Sequence, residues 1–167
     1  MGDINIIENE GDLRMNRIYK KADISDIDIL TKMRVQVLRV ANRLSYDEDM
    51  SLIENESYNY YKECLVNGSH IAYLVIDDNK FIGAGGVSFY KVMPTYNNPK
   101  GVKAYIMNMY THPDYRRKGI AYKTLDMLVN EAKNKGIDFI TLEATEMGRP
   151  LYKKYGFKQM QDEMELL

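Results

Sequence analysis

The stretch with the clearest chemical potential is a short basic loop, Arg116-Arg-Lys-Gly-Ile-Ala121, between a strand-like run and an amphipathic helix pattern. The first N–H groups of a helix have no partner within the helix, and the helix dipole adds positive potential there. Gly119 lets an anion approach the backbone because it has no Cβ, and Ala121 is also small. The basic side chains of 116–118 add charge-assisted hydrogen bonds at the rim. This spacing predicts a loop that binds a pyrophosphate.

A solvated basic turn before a surface helix is the competing interpretation of this loop, because patterns this short arise by chance. The strand before the loop and the helix after it favour phosphate binding. The loop is not a P-loop, since no Gly-Lys-Ser/Thr sequence follows it. It is not a dinucleotide fingerprint either, because the three-glycine spacing and the acidic residue for a ribose are missing.

The rest of the chain supplies the elements that must position this loop. Apolar residues at helical spacing predict two helices in the first half, and the period then changes to that of strands. Gly83, Gly85 and Gly86 predict a bulge or a close backbone approach within one strand. The predicted order is two helices (about 25–41 and 50–66), three strands (71–77, 81–90, 103–111), a helix (119–135), a strand (139–143), a short helix (150–155) and a last strand region from Gly156. This order predicts a mixed α/β sheet in one domain.

Composition excludes several classes of protein. The 167 residues are 45% hydrophobic and 28% charged, which excludes a disordered or fibrous chain. A net charge of −1 gives no general attraction to nucleic acid or to an anionic membrane. Cys64, His70 and His112 are too few for a thiolate-rich or histidine-rich metal site. We therefore expect a cytoplasmic domain over residues 16–167 that binds no nucleic acid, membrane or metal. Residues 1–15 would form a flexible extension or an additional strand.

Two motifs give the chain a family resemblance. Arg116-x-x-Gly119-x-Ala121 follows His112-Pro113, and Leu151-Tyr152-Lys-Lys-Tyr-Gly156-Phe157 comes later in the chain. In this order and spacing they resemble the GCN5-related N-acetyltransferase (GNAT) family, and the likeness extends over about residues 19–167. The resemblance implies the GNAT-like acyl-CoA N-acyltransferase fold, a central and mostly antiparallel sheet with splayed strands and about four helices.

The resemblance implies acetyl-CoA as the cofactor. In the family, the loop that matches 116–121 binds the CoA pyrophosphate through backbone N–H groups, and the residue after it often joins. The strand before the loop pairs with the pantetheine arm as though the cofactor were another strand. The cofactor-binding residues are therefore expected to be Met109, Tyr110, Thr111, Arg116, Arg117, Lys118, Gly119, Ile120, Ala121 and Tyr122.

The resemblance also implies a catalytic role for Tyr152, near the thioester sulfur, where a phenol can protonate the leaving thiolate. Tyr155 competes for this role, and packing of the short helix is the structural alternative for Tyr152. Many relatives carry a glutamate base on the strand before the loop, but residues 104–108 contain no carboxylate. The alternatives for a base stay open: a water held by Tyr105 or Asn108, a carboxylate such as Glu54 or Glu143, or an amine that arrives neutral.

The leading functional prediction is an N-acetyltransferase in which a primary amine attacks the thioester directly and a backbone N–H, such as that of Met109, stabilises the oxyanion. A catalytically inactive CoA-binding or regulatory module is the alternative, motivated by the missing carboxylate. The acceptor is either a small-molecule amine or an amine of a protein or peptide, in a pocket built from 33–63 and 91–101. Acidic residues there favour a cationic amine or form only a solvated surface: Asp47, Glu48, Asp49, Glu54 and Glu56. The protein is expected to be a monomer or a homodimer.

Overall fold

The computed structural model of the chain describes residues 17–161 and 163–166. The predictions for residues 1–15 lie outside these described residues. The strands are β1 (Arg17–Lys21), β2 (His70–Asp77), β3 (Lys80–Lys91), β4 (Val102–Thr111) and β5 (Ile140–Leu142). The helices are α1 (Ile27–Asn42), α2 (Ser51–Asn67), α3 (Ile120–Asn134) and α4 (Arg149–Tyr155), and short 3-10 turns span Ile24–Asp26 and Pro113–Tyr115.

The strands form one sheet in the order β1-β2-β3-β4-β5. Neighbouring strands are antiparallel from β1 to β4, whereas β5 runs parallel to β4. This confirms the predicted mixed, mostly antiparallel sheet with four helices. The parallel pair follows from the crossover through α3, which returns the chain to the same end of the sheet. No helix in the described part of the chain is long and apolar enough to cross a membrane.

Helices cover both faces of the sheet, as the alternation of side chains along β2 requires. Ile71 and Tyr73 face a core cluster under α3, where Leu125 and Leu128 are fully buried. Ala72 and Leu74 point to the other face and pack against α1. Burying a leucine side chain contributes about 1.5–3 kcal/mol, so these two layers hold the helices on the sheet.

The glycines of β3 lie where neighbouring groups approach the strand most closely. A Cβ at Gly85 would lie 2.7 Å from Thr124 Cγ2, and one at Gly86 would lie 2.8 Å from the His70 ring. A bulge of β3 lies beside Gly83, because Val75 pairs with Gly83 and Ile76 with Phe81, which leaves Ile82 as the extra residue. The predicted close approach and the predicted bulge are therefore both present in β3. A second bulge lies in β4, where Asn108, with a φ of +57°, and Met109 oppose Gly85 alone.

The predicted last strand region is absent from the described residues. Gly156 ends α4 with a left-handed φ of +118°, and the next N–H, that of Phe157, donates to the Tyr152 carbonyl at 2.9 Å. Phe157 then packs against the core cluster under α3, but residues 158–161 are exposed and form no ladder. The prediction was wrong here because a single apolar residue after the helix anchors a loop and does not by itself make a strand.

Candidate active site

The loop between β4 and α3 presents a run of backbone donors without acceptors. Arg117 and Gly119 both have left-handed φ angles, +63° and +76°, before α3 begins at Ile120. Across the described residues, the N–H groups from Arg117 to Tyr122 donate to no acceptor. Successive N–H groups in such a conformation, at a helix N-terminus, form a concavity that binds anions. We call residues 116–122 the anion loop.

The surroundings of Gly119 explain why this position is a glycine. An ideal Cβ there would meet no protein atom within 4 Å, so packing does not require the glycine. Its left-handed φ does, and the open space above the backbone is where an anion can approach. The Arg116 Nε donates to the Thr111 carbonyl at 3.1 Å, which ties the loop to the end of β4. Arg117 and Lys118 are exposed at its rim. The residues therefore fit a bound pyrophosphate.

The pairing of β4 with β5 ends well before β4 reaches this loop. β4 pairs with β3 along most of its length but with β5 only at Ala104, Ile106 and the residue between them. On the β5 side, residues 107–111 have no strand partner within the described chain. An open strand edge offers backbone groups to an extended ligand, and this edge leads directly to the anion loop.

The bulge at Asn108 changes which side chains of β4 face which side of the sheet. Before it, Ile106 packs under α3 while Met107 faces the opposite side; after it, Met109 packs under α3. The Asn108 side chain is buried, and its Nδ2 donates to the Tyr61 hydroxyl at 3.4 Å. Its Oδ1 is buried and accepts no hydrogen bond from any described residue. A buried acceptor without a donor costs about 1–3 kcal/mol, which a ligand donor would recover.

Two tyrosines of α4 have different environments. Tyr152 is buried in the cluster under α3, against which Met109 also packs. Burial raises the pKa of Tyr152, and its hydroxyl makes no hydrogen bond with the described residues. The Tyr155 hydroxyl instead donates to Asp126 Oδ1 at 2.8 Å. Burial and Asp126 together raise the pKa of Tyr155 to about 12. The hydroxyl available to a ligand is therefore that of Tyr152.

A cavity of about 690 Å³ lies between α1, α2 and the face of the sheet opposite α3. Cavities of this size hold small-molecule ligands. We call it the acceptor cavity. Its lining combines apolar groups, phenols and two charged side chains: Arg34, Leu52, Ile53, Glu56, Ser57, Tyr60, Tyr61, His70, Ser88, Tyr90, Tyr105, Met107 and Asn108.

Three polar side chains form a hydrogen-bonded cluster in the cavity wall. The Tyr60 hydroxyl lies 2.6 Å from Ser88 Oγ, and His70 Nδ1 lies 2.9 Å from Ser88 Oγ and 3.1 Å from the Tyr60 hydroxyl. His70 is 3% exposed. Burial and, secondarily, the charge of Arg34 lower the pKa of His70 to about 4, so the ring is neutral at pH 7.

A family model described as the acetyltransferase (GNAT) family matches residues 38–157. The match covers more than half of the chain and includes β4, β5, the anion loop and α4. The chain belongs to this family. It is therefore an acetyltransferase, as its two motifs predicted.

Solved structures agree with this acetyltransferase assignment. A predicted acetyltransferase with acetyl-CoA from Clostridium acetobutylicum is 38% identical, with a TM-score of 0.83 over 90% of this chain and 96% of that chain. A GCN5-related N-acetyltransferase from Ralstonia eutropha JMP134 is 22% identical, with a TM-score of 0.79 over 91% and 99%. The aminoglycoside N-acetyltransferase AAC(6')-Iy in complex with CoA is 11% identical, with a TM-score of 0.71 over 92% and 95%. The last two show the shared fold. A comparison with curated protein sequences found no match.

In this acetyltransferase the residues predicted to bind the cofactor form one continuous path, from the end of β4 through the anion loop to the first turn of α3. Two of them have buried side chains and can contribute only backbone groups. Tyr110 packs against the α1 side of the core, and Gln36 donates to its hydroxyl at 3.3 Å. Ile120 packs in a small cluster with Val75 and Ile82.

The three residues predicted to be catalytic do not form one cluster. Tyr105 and Asn108 line the acceptor cavity, whereas Tyr152 lies in the core on the α3 side of the sheet. Burial, with the charge of Glu143, raises the pKa of Tyr105 to about 12, so its phenol is protonated at neutral pH. Glu54, another candidate base, lines a separate depression beside Asp28.

The predicted acceptor region needs a correction. Residues from 33–63 do line the cavity, but the 91–101 loop contributes none of its walls. That loop closes on itself, since Thr95 and Asn98 pair with each other and Asn98 Nδ2 donates to the Val102 carbonyl at 3.1 Å. Strands β2, β3 and β4 supply the remaining wall, β2 through His70.

Sequence reasoning did not find Arg34, His70 or Ser88 as site residues. The available signal was the hairpin of β2 and β3, which places His70 opposite Ser88 on the face that α2 covers. Cys64 lies half-buried on α2 and does not line the cavity.

Proposed function

We propose that this acetyltransferase moves an acetyl group from acetyl-CoA to a primary amine held in the acceptor cavity, by direct attack of the amine. The observation that carries the proposal is the position of β4 between two sites. Its open edge at residues 107–111 leads to the anion loop, and its bulge residue, Asn108, lines the acceptor cavity. A donor and an acceptor bound at these two sites would meet at the bulge.

On the donor side, the N–H groups from Arg117 to Tyr122 bind the pyrophosphate, and the charges of Arg117 and Lys118 strengthen its binding. The open edge of β4 orients the pantetheine arm beside Met109. Acetyl-CoA, when bound, supplies the acetyl thioester that the amine attacks. The acetyl-CoA in the structure of the 38% identical Clostridium protein supports this choice of donor.

On the acceptor side, Asn108 lines the cavity and its buried Oδ1 has no donor among the described residues, so a turn of this side chain toward the cavity would let Oδ1 accept a hydrogen bond from the amine. The walls from α1 and α2 surround the amine on the side away from the sheet. The Tyr152 hydroxyl holds a proton at neutral pH, since burial raises its pKa, and we assign it as the general acid for the leaving thiolate. No covalent step through Cys64 is needed, because this thiol lies outside the cavity wall.

An inactive CoA-binding module is the second candidate. It is favoured by one observation: β4 contains no carboxylate that could act as a base at its own bulge. The carboxylate in the cavity lining, Glu56, is exposed on α2. Turnover separates the two candidates. The chain is mixed with acetyl-CoA and a panel of primary amines, and free thiol and acetylated amine are measured together. The enzyme releases thiol and acetylated amine in equal amounts, whereas a pure binder retains CoA and releases neither.

A further inference from the structure

The two charged side chains of the acceptor cavity form no ion pair with each other. Arg34 carries the positive charge of the lining and Glu56 the negative charge. Within the described residues, the Arg34 guanidinium forms no ion pair and no hydrogen bond. Arg39, on the same helix, differs, because its Nη2 donates to the Glu48 carbonyl at 2.8 Å. Arg34 is also half-buried as a residue.

The charge of Arg34 acts on the polar end of the cavity. It lowers the pKa of His70 and opposes the rise that burial causes in the pKa values of Tyr60 and Tyr61. None of these neutral groups can neutralise a guanidinium. A planar guanidinium binds carboxylates and phosphates through paired hydrogen bonds, and such a pair is stronger in a partly dehydrated site. No carboxylate of the described residues pairs with Arg34, so its guanidinium is free to bind an anionic ligand.

Asn108 sets a second, opposite requirement. Its amide oxygen is an acceptor and repels an anion, and because Oδ1 is fully buried without a donor, an amine would reach it once this side chain turned toward the cavity. The lining also contains apolar side chains, Leu52, Ile53 and Met107 among them. A ligand that suits both polar groups carries an anionic group and an amine on a small, partly apolar skeleton.

We propose that the acceptor is a small primary amine that also carries a carboxylate or a phosphate, and that Arg34 binds this anionic group. This inference rests on the proposed function. The acidic residues near the cavity do not favour a cationic acceptor, because among them only Glu56 lines it. Asp47, Glu48 and Asp49 are exposed in the loop before α2.

The test uses pairs of amines that differ in the anionic group. Phenylalanine is compared with 2-phenylethylamine, O-phosphoethanolamine with ethanolamine, and 1,4-diaminobutane serves as a dication. The kcat/KM of each is measured by thiol release from acetyl-CoA. We expect the anionic member of at least one pair to be preferred by about tenfold or more, and which pair shows the preference tells a carboxylate from a phosphate.

Variants of Arg34 connect this preference to the cavity. Arg34→Met should abolish the preference for the anionic member, and Arg34→Lys should retain part of it. Lys32→Met is the matched control, because Lys32 is an exposed cation on the same helix that lines the separate depression. It should keep the wild-type preference. Circular dichroism and CoA affinity establish that each variant is folded, and Arg34→Gln replaces Arg34→Met if the latter is not.

The outcomes separate this inference from the proposed function. If the wild type acetylates neutral or cationic amines at least as well as their anionic partners, the acetyltransferase assignment stands and the anionic acceptor is wrong. A preference that survives Arg34→Met equally contradicts the role of Arg34. If CoA binds and no amine of any charge is acetylated, the proposed function fails, and this inference fails with it.

Discussion

The anion loop and the acceptor cavity lie at opposite ends of the same segment of β4 but are built in different ways. The anion loop is one contiguous stretch, and its donors are backbone N–H groups positioned by two left-handed residues, Arg117 and Gly119. The cavity is lined by side chains from two helices and three strands. A backbone site tolerates changes of most side chains but not of its glycine, whereas a side-chain site can change its ligand through single substitutions.

The largest expected effect tests the backbone character of the anion loop. Gly119→Val places a branched side chain in the open space above the N–H groups and strains a φ of +76°. We expect CoA affinity to fall by about a hundredfold or more, measured by calorimetry on folded protein.

Gly68→Val is the matched control for this substitution. Gly68 ends α2 with a φ of +75° and also has no atom within 4 Å of an ideal Cβ. The backbone strain is therefore similar, but CoA affinity should be unchanged. Equal losses of affinity in the two variants would show that general destabilisation, and not the anion loop, controls CoA binding.

The buried histidine of the cavity wall, His70, should make the free energy of unfolding depend on pH. The pKa of His70 is lowered from 6.5 to about 4, so the unfolded chain binds a proton that the folded chain excludes. Stability from this group is complete above about pH 6.5 and is lost as the pH falls toward 4. Between pH 7 and pH 4.5, His70→Gln should lose about 2–3 kcal/mol less unfolding free energy than the wild type. Urea denaturation at both pH values measures this. Equal losses of unfolding free energy in the wild type and His70→Gln would contradict a neutral buried His70.

A smaller effect tests which hydroxyl of α4 donates the proton. Tyr152→Phe removes only the hydroxyl, so the fold and CoA affinity should persist while kcat falls by at least about tenfold, with little change in acceptor KM. Tyr155→Phe is the control and should be nearly neutral, because its hydroxyl is engaged by Asp126. If Tyr155→Phe loses activity while Tyr152→Phe remains active, Tyr155, one helical turn later, is the general acid. Full activity of both would mean that the thiolate needs no tyrosine.

The smallest effect separates charge from backbone within the anion loop. Arg117→Ala and Lys118→Ala should each weaken CoA binding by about tenfold or less, since exposed charges are screened. Titrations at rising salt should reduce these losses but not the loss in Gly119→Val. An identical salt response in all three variants would indicate binding through side-chain charge alone.

The same contrast explains what the sequence could predict. The anion loop was predictable because residue types within one short stretch determine its conformation and its donors. The bulge was predictable in kind, because Gly83, Gly85 and Gly86 leave room for close backbone approach. The cavity was predictable only in part: residues 33–63 were expected to line it and Asn108 was a candidate site residue, but Arg34, Tyr60 and Asn108 become neighbours only when helices pack on the sheet.

The His70–Ser88 pair depends on one irregularity in the register of the hairpin formed by β2 and β3. The turn at Asp78 and Asn79 pairs Asp77 with Lys80, and an unbroken register would place His70 opposite Val87. The register shifts between Val75 and Ile76, however, and brings Ser88 opposite His70. One irregularity in the hairpin therefore decides which side chain reaches the cavity, and apolar alternation along the strands does not reveal it.

A crystal structure of the chain with CoA would test the central claim most directly. We expect the pyrophosphate oxygens to accept hydrogen bonds from the N–H groups between Arg117 and Tyr122. The pantetheine arm should run beside residues 107–111, and the thiol should end at the bulge, next to the acceptor cavity. A pyrophosphate held only by side chains, or a CoA bound away from the open edge of β4, would contradict the account.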